Sequence, residues 1–251
     1  MQIIKEAFRK IYSGEDKLIK HTLLFILTGI TSMFSETLHT ISQEHSLGSI
    51  SLNVAIAMSI ILITMSLYFS GYFFNTLHNS FDEEKENILP EFDLANFSTF
   101  IKALPLVLVW FIYTAIILAA GFFVGGFLSV FIGPIAAIII ATLTFGVVAL
   151  CIMLMLYLIY AKFAENFDAK GLFNIKVPFK YFPVAISSVL KLIVKMLPLF
   201  IVLLIIRAFC NIHTVFGTIF TAIDGYTSAI VLFVILYYIV NIYKNKIANK
   251  F

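Results

Sequence analysis

The sequence predicts an all-α polytopic membrane protein of about six transmembrane helices, set out as three hairpins with amphipathic segments at the interface. Three observations predict it. Of 251 residues, 61% are hydrophobic and only 12% charged, against about 45–50% and about 25% in soluble domains, so no water-soluble core of this size could hide the apolar side chains. Four stretches, 50–74, 103–124, 135–161 and 226–243, each supply the roughly 20 apolar residues that a spanning helix needs. Lysine and arginine, finally, fall on one side of those stretches with a single exception, Arg207.

Residues 1–17 form an amphipathic cytoplasmic or interfacial segment. Ile3, Ile4, Ala7, Phe8 and Ile11 recur at helical spacing, with Lys5, Glu6, Arg9 and Lys10 on other faces. Such a helix either rests on anionic lipid or packs on the protein's own inner face. Basic residues ahead of an apolar run also occur in signal peptides. Here the charged region is long and no small-residue cleavage pattern follows, so 22–34 is read as part of a retained first span.

Residues 18–251 are expected to form a single transmembrane domain with spans at about 18–38, 50–74, 103–124, 135–161, 185–208 and 226–243. The first and fifth are interrupted by polar residues. Between Lys102 and Lys162 the chain carries no Asp, Glu, Lys or Arg, and two spans do not use all of it. The surplus, with Gly121, Gly125, Gly126, Gly133 and Pro134, either makes a short turn or dips back into the membrane as a re-entrant loop; the turn is the more economical. Because positive segments resist translocation, an even number of spans with this lysine distribution puts both termini in the cytoplasm.

Short tags recur. Lys102-Ala-Leu-Pro105 opens the second hairpin and Lys195-Met-Leu-Pro198 the third, while Leu67-Tyr68, Leu156-Tyr157 and Leu236-Tyr237 stand near the three closing ends. A snorkelling lysine followed by a bending proline accounts for each tag, although monotonous composition could also produce them. In the acidic connection after the second span, Asp93 or Asn96 is placed to cap a helix that runs along the interface before diving at Pro105. In the fourth connection, Pro178 and Pro183 are expected to forbid a long helix.

Gly71-Tyr72 after a span, then Leu89-Pro90-Glu91-Phe92-Asp93, Phe97 and Leu104-Pro105 ahead of Trp110 and Tyr113, resemble the bacterial and archaeal membrane proteins of the family called domain of unknown function 4013. The resemblance covers the middle two-thirds of the chain and implies architecture without any activity.

Motifs of catalysis are missing: no zinc-protease helix, phosphate-cradling glycine loop or Cys-x-x-Cys pair occurs. No enzyme activity, metal or cofactor is therefore expected. Cys151 and Cys210 lie too far apart in sequence to suggest a disulfide framework. His39, Glu44 and His45 on the first outer loop could hold a metal only weakly. Charge in an apolar span is costly and therefore informative, which singles out Arg207 with Asp224 and His213 as partners across an outer turn. Asn53 heads a polar stripe, with Thr64, Ser66, Ser70 and Asn75, on the second span.

Six spans without a soluble catalytic domain point to a component of transport, export or resistance towards a small amphipathic molecule or peptide. The alternative is a structural or lipid-organising protein acting through its interfacial helices. Membrane lipids, an ATPase or other membrane subunit, and further copies in a homo-oligomer are the partners these features allow. Nucleic acid has no support.

Overall fold

The computed structural model describes residues 2–43, 49–169, 176–210 and 215–248. A short helix, α1 (Gln2–Ile11), precedes six long ones: α2 (Lys17–Gln43), α3 (Ser49–Asn79), α4 (Ala95–Ile132), α5 (Pro134–Asn166), α6 (Lys176–Cys210) and α7 (Val215–Lys246). Among the described residues, segments of α2, α3, α4, α6 and α7 are each long and apolar enough to cross a membrane, and α5 carries the apolar run 135–161. The chain is an all-α polytopic membrane protein.

Its apolar side chains are distributed inside out. Leu52, Val54, Ile56, Ile60, Ile61 and Ile63 of α3 are all exposed, whereas Tyr72 and Leu77 further along the same helix are buried. A soluble protein does not leave so long an apolar face bare; a hydrocarbon solvent makes that face the stable one.

Three expectations about helix ends change. α4 is continuous from Ala95 through Pro105, so no helix boundary falls at that proline. Ala103, Leu106 and Val109, three residues apart and buried, hold the helix on both sides of the proline, and one missing N–H does not end it. α6 likewise starts at Lys176 and runs through Pro178 and Pro183, correcting the expected short segment. Pro178 lies in the first turn, where backbone N–H groups have no helical partner anyway, and an interior proline such as Pro183 is tolerated in membrane helices. The glycine-rich surplus proves to be helix too, with Gly133 (φ 80°) alone between Ile132 and Pro134. No re-entrant loop forms there. The first outer loop is also shorter than expected, because α2 runs on to Gln43 and takes in His39; the side chains of His39 and Cys151, Glu44 and His45, and residues 170–175 of the fourth connection lie outside the described features.

The described residues gather into two compact units. The first comprises residues 1–101 and 195–238, the second 102–194 and 239–251. In the second, the core sits at the end of α5, where Ile159, Ala161, Phe163 and Ala164 are buried. The C-terminal part of α7 is tied to it by Tyr243 Oη donating to Glu165 Oε2 (3.0 Å) and Lys246 Nζ donating to Ser188 Oγ (3.2 Å). Lys102 Nζ lies over the Phe167 ring at 5.7 Å. Its counterpart in the other tag, Lys195, lies over Tyr238 at 5.0 Å within the first unit. Both tag lysines thus use an aromatic face.

In the first unit α1 buries Ala7 and Ile11 completely, one turn apart and hence on one face. The helix therefore packs on the protein itself. Lys10 Nζ donates to the carbonyls of Glu83 (2.9 Å) and Asp82 (3.3 Å), and Tyr237 Oη donates to Glu6 Oε1 (2.9 Å). Lys20, 7% exposed, reaches Asp16 Oδ2 and Glu91 Oε1 at 2.8 Å each and donates to the Leu89 carbonyl at 3.0 Å. The hydrogen bond from Lys20 holds the Asp16 carboxyl below its usual range. One carboxylate of the acidic connection, Glu91, is thereby paired with the start of α2, and Lys10 ties the connection's backbone to α1. Glu91→Gln is expected to cost about 1 kcal/mol, since Asp16 still pairs with Lys20 and the Glu91 side chain is 69% exposed; thermal unfolding in detergent at low and high salt measures it, with the difference shrinking at high salt.

Candidate functional site

Two places in the first unit gather polar side chains. One is a clasp closing the turn between α3 and α4, built almost entirely from the Gly71-Tyr72 and Leu89–Asp93 motif residues. Leu89 and Pro90 are buried, and the Phe92 ring packs on Tyr72 (centroids 4.7 Å) and Tyr68 (6.2 Å). Asp93 Oδ1 accepts from the Ala95 N–H at 3.0 Å, an Asx turn that launches α4. Of the two expected caps, Asp93 is the one used.

Asn96 instead turns inward and is fully buried. Its Nδ2 lies 2.9 Å from Tyr68 Oη, 2.9 Å from the Glu91 carbonyl and 3.2 Å from the Asp93 carbonyl. Its Oδ1 accepts from Asn75 Nδ2 at 2.8 Å, and Asn75 Oδ1 accepts from Thr99 at 3.0 Å. The network joins α3, the connection and α4. Tyr72 Oη, by contrast, is buried with no hydrogen-bond partner among the described residues. Pro105 is absent from the clasp, being inside α4 in the second unit. These motif residues build structure, and none of them lines the cavity described next.

The second place is a cavity of about 500 Å³, walled by α2, α3, α6 and α7. Its existence follows from small residues. Gly29 faces Ala222, whose Cβ lies 3.2 Å from where a glycine Cβ would be, and a Cβ on Gly225 would stand 2.9 Å from the Thr28 carbonyl and closer still to Ser32 Oγ. Small residues on facing sides let membrane helices approach closely, and α2 and α7 do so here. The approach is fixed by Tyr226 Oη, 2.9 Å from His21 Nδ1. His21 Nε2 meets the Ile11 carbonyl at 3.1 Å; a carbonyl only accepts, so Nε2 carries the proton and Nδ1 accepts from Tyr226. Where the walls carry short side chains such as Ser32, Ser66, Ser70 and Ser228, space is left over.

The cavity combines hydroxyls, apolar surface and one ion pair. Thr28, Thr31 and Ser70 donate to carbonyls of their own helices at 2.7–2.8 Å, which satisfies their protons and leaves oxygen lone pairs available. Ser228 Oγ is buried without a partner among the described residues. Phe69, Ala229 and Leu232 supply apolar wall. Arg207 Nε donates to Asp224, 3.2 Å from Oδ1 and 3.4 Å from Oδ2. Gly225→Ala is expected to destabilise the chain by roughly 1–3 kcal/mol, because the added methyl meets a backbone carbonyl that cannot step aside. The check is thermal unfolding of the purified variant.

Of the polar residues singled out in the sequence, Arg207 and Asp224 are brought together. His213 lies outside the described residues. Asn53 is exposed on α3 and is not part of the cavity wall. The stripe below it divides: Ser66 and Ser70 line the cavity, Asn75 joins the clasp, and Thr64 bonds the Ile60 carbonyl of its own helix. Sequence reasoning missed the α2 wall of Thr28, Thr31 and Ser32 and the Gly225 contact. The spacing of Gly29 with Ser32 and of Ala222 with Gly225 was the available signal.

No curated protein and no solved structure matches the chain. A family model does, over residues 54–212, a range that holds α4, α5, the whole Gly71–Asp93 clasp motif and Arg207. The chain belongs to that family, described as protein of unknown function (DUF4013).

Proposed function

We propose that this protein is a non-catalytic component of the cell membrane, with both termini in the cytoplasm, that takes a small amphipathic molecule or peptide into the cavity of its first unit as a step in transport, export or resistance. The observation that carries the reading is the cavity itself. It offers apolar wall, hydroxyls and an ion pair side by side, the mixture that binds and orients a molecule that is itself part apolar and part polar. Its volume of about 500 Å³ falls in the range of roughly 300–1,000 Å³ typical of small-molecule sites.

The orientation rests on the lysines. Every Lys and Arg apart from Arg207 falls in segments that a six-span reading puts on one side. No soluble nucleotide-binding motif accompanies the helices, so energy for directed movement would come from an ATPase or another membrane subunit. The rival reading, a lipid-organising protein working through interfacial helices, has less behind it now that α1 turns Ala7 and Ile11 into the protein.

Filling the cavity tests the proposal. Ser66→Phe, on α3, places a ring in the space. In proteoliposomes loaded with a library of amphipathic fluorophores, the unaltered chain, alone or with a copurified subunit, is expected to show flux that Ser66→Phe lowers by about tenfold or more, as loss of a site's binding energy would. Flux unaffected by Ser66→Phe in a folded, monodisperse protein overturns the reading.

A further inference from the structure

The ion pair in the cavity wall is only half used. Arg207 commits Nε to Asp224, and its side chain is 60% exposed. Its two Nη groups have no hydrogen-bond partner among the described residues. A guanidinium edge of that kind matches the two oxygens of a carboxylate or phosphate. Asp224, 22% exposed, accepts from Nε alone, which leaves carboxylate lone pairs for a second donor.

Charge balance then narrows the class of ligand. Arg207 and Asp224 together are formally neutral and share a wall of hydroxyl and apolar side chains between helices that lie in hydrocarbon. An anion bound alone would leave net negative charge there and a cation alone net positive, and either is costly where the dielectric is low. A molecule carrying both charges adds none. Within the same wall, Ser228 holds a buried hydroxyl that the fold leaves unsatisfied, and Phe69 and Leu232 offer apolar surface.

We propose that the cavity binds a zwitterionic amphiphile: its phosphate or carboxylate on the Nη edge of Arg207, its ammonium on Asp224, and its apolar part along Phe69 and Leu232. This rests on the cavity being a binding site, as argued above, and adds the chemistry of what it binds. The zwitterion could be a lipid headgroup or a free amino-acid-like amphiphile, since both present the same pair of charges.

The test uses the full chain in nanodiscs and five probes with matched twelve-carbon chains. Dodecyl phosphoethanolamine represents the headgroup and 2-aminododecanoic acid the free amphiphile; dodecanoic acid, dodecylamine and dodecyl maltoside are the anionic, cationic and neutral controls. At least one zwitterion is expected to bind about tenfold tighter than every control, and Arg207→Gln and Asp224→Asn should each remove about that factor, as loss of a charge-assisted hydrogen bond does. Arg207→Lys, which keeps the charge and loses the fork, should fall between. The better zwitterion identifies the source.

Equal affinity for all five probes, or preference for a singly charged one, overturns the zwitterion assignment and leaves the cavity reading standing. Binding that Ser66→Phe does not weaken places the probes elsewhere and overturns both. If the charge variants fail to fold, the ranking of the five probes on the unaltered chain, with and without Ser66→Phe, decides by itself.

Discussion

Gly71→Ala is expected to cost the protein roughly 3 kcal/mol or more, the far end of what a single methyl does. A Cβ on Gly71 would overlap the carbonyl group of Asn96 and stand 3.2 Å from its Cα. The obstacle is backbone, in the first turn of α4, so no rotamer change relieves it. To make room, α4 would have to move away from α3, and the movement would stretch the bonds from Asn96 to Tyr68 and from Asn75 to Asn96 (2.9 and 2.8 Å). Steric cost and polar loss add because they share one cause. The measurement is the unfolding midpoint in detergent, with Gly126→Ala as control: a Cβ at Gly126 meets nothing within 4 Å, and in mid-helix alanine is favoured over glycine by about 1 kcal/mol. Opposite shifts in midpoint are expected. Equal shifts would mean that the α3–α4 approach is not the tight joint described.

Membrane character and the order of helices were legible because apolar runs of spanning length have no other stable home. Helix ends were less so. Pro178 and Pro183 were read as helix breakers and Pro105 as the place of a dive, yet α4 and α6 pass through them, because one missing N–H is a local loss and the helix around it keeps its other bonds. The Arg207–Asp224 pair could be anticipated, since charge in an apolar run must find company. The rest of the cavity could not: a serine or threonine in a membrane helix ordinarily bonds its own helix's carbonyl, and Thr28, Thr31 and Ser70 do that while also walling a space. Pairing of Lys20 with Glu91 was equally hidden, because seventy residues of chain separate two charges that each have nearer candidates. The clasp motif was visible as a motif. Its role was not, since close approach of Gly71 to Asn96 is a property of two helices together.

Asn96→Leu is expected to be the second most damaging change, destabilising by about 2–4 kcal/mol even though leucine is similar in size and apolar. Asn96 is fully buried and bonds both Tyr68 and Asn75 of α3. Its removal leaves two backbone carbonyls, those of Glu91 and Asp93, without the donor it gave them. Asn75 and Thr99 keep each other (3.0 Å), so Asn75→Ala should cost less than Asn96→Leu. If the network acts as one unit, the double variant loses clearly less than the sum of the two single losses. Additive losses would show instead that each asparagine acts alone. Unfolding midpoints of the four proteins decide between them, and the cavity offers the contrast: Ser70→Ala, which removes a hydroxyl bonded to its own helix, should change stability by less than about 0.5 kcal/mol. The difference between the two asparagine and serine effects separates the residues that hold the first unit together from those free to serve a ligand.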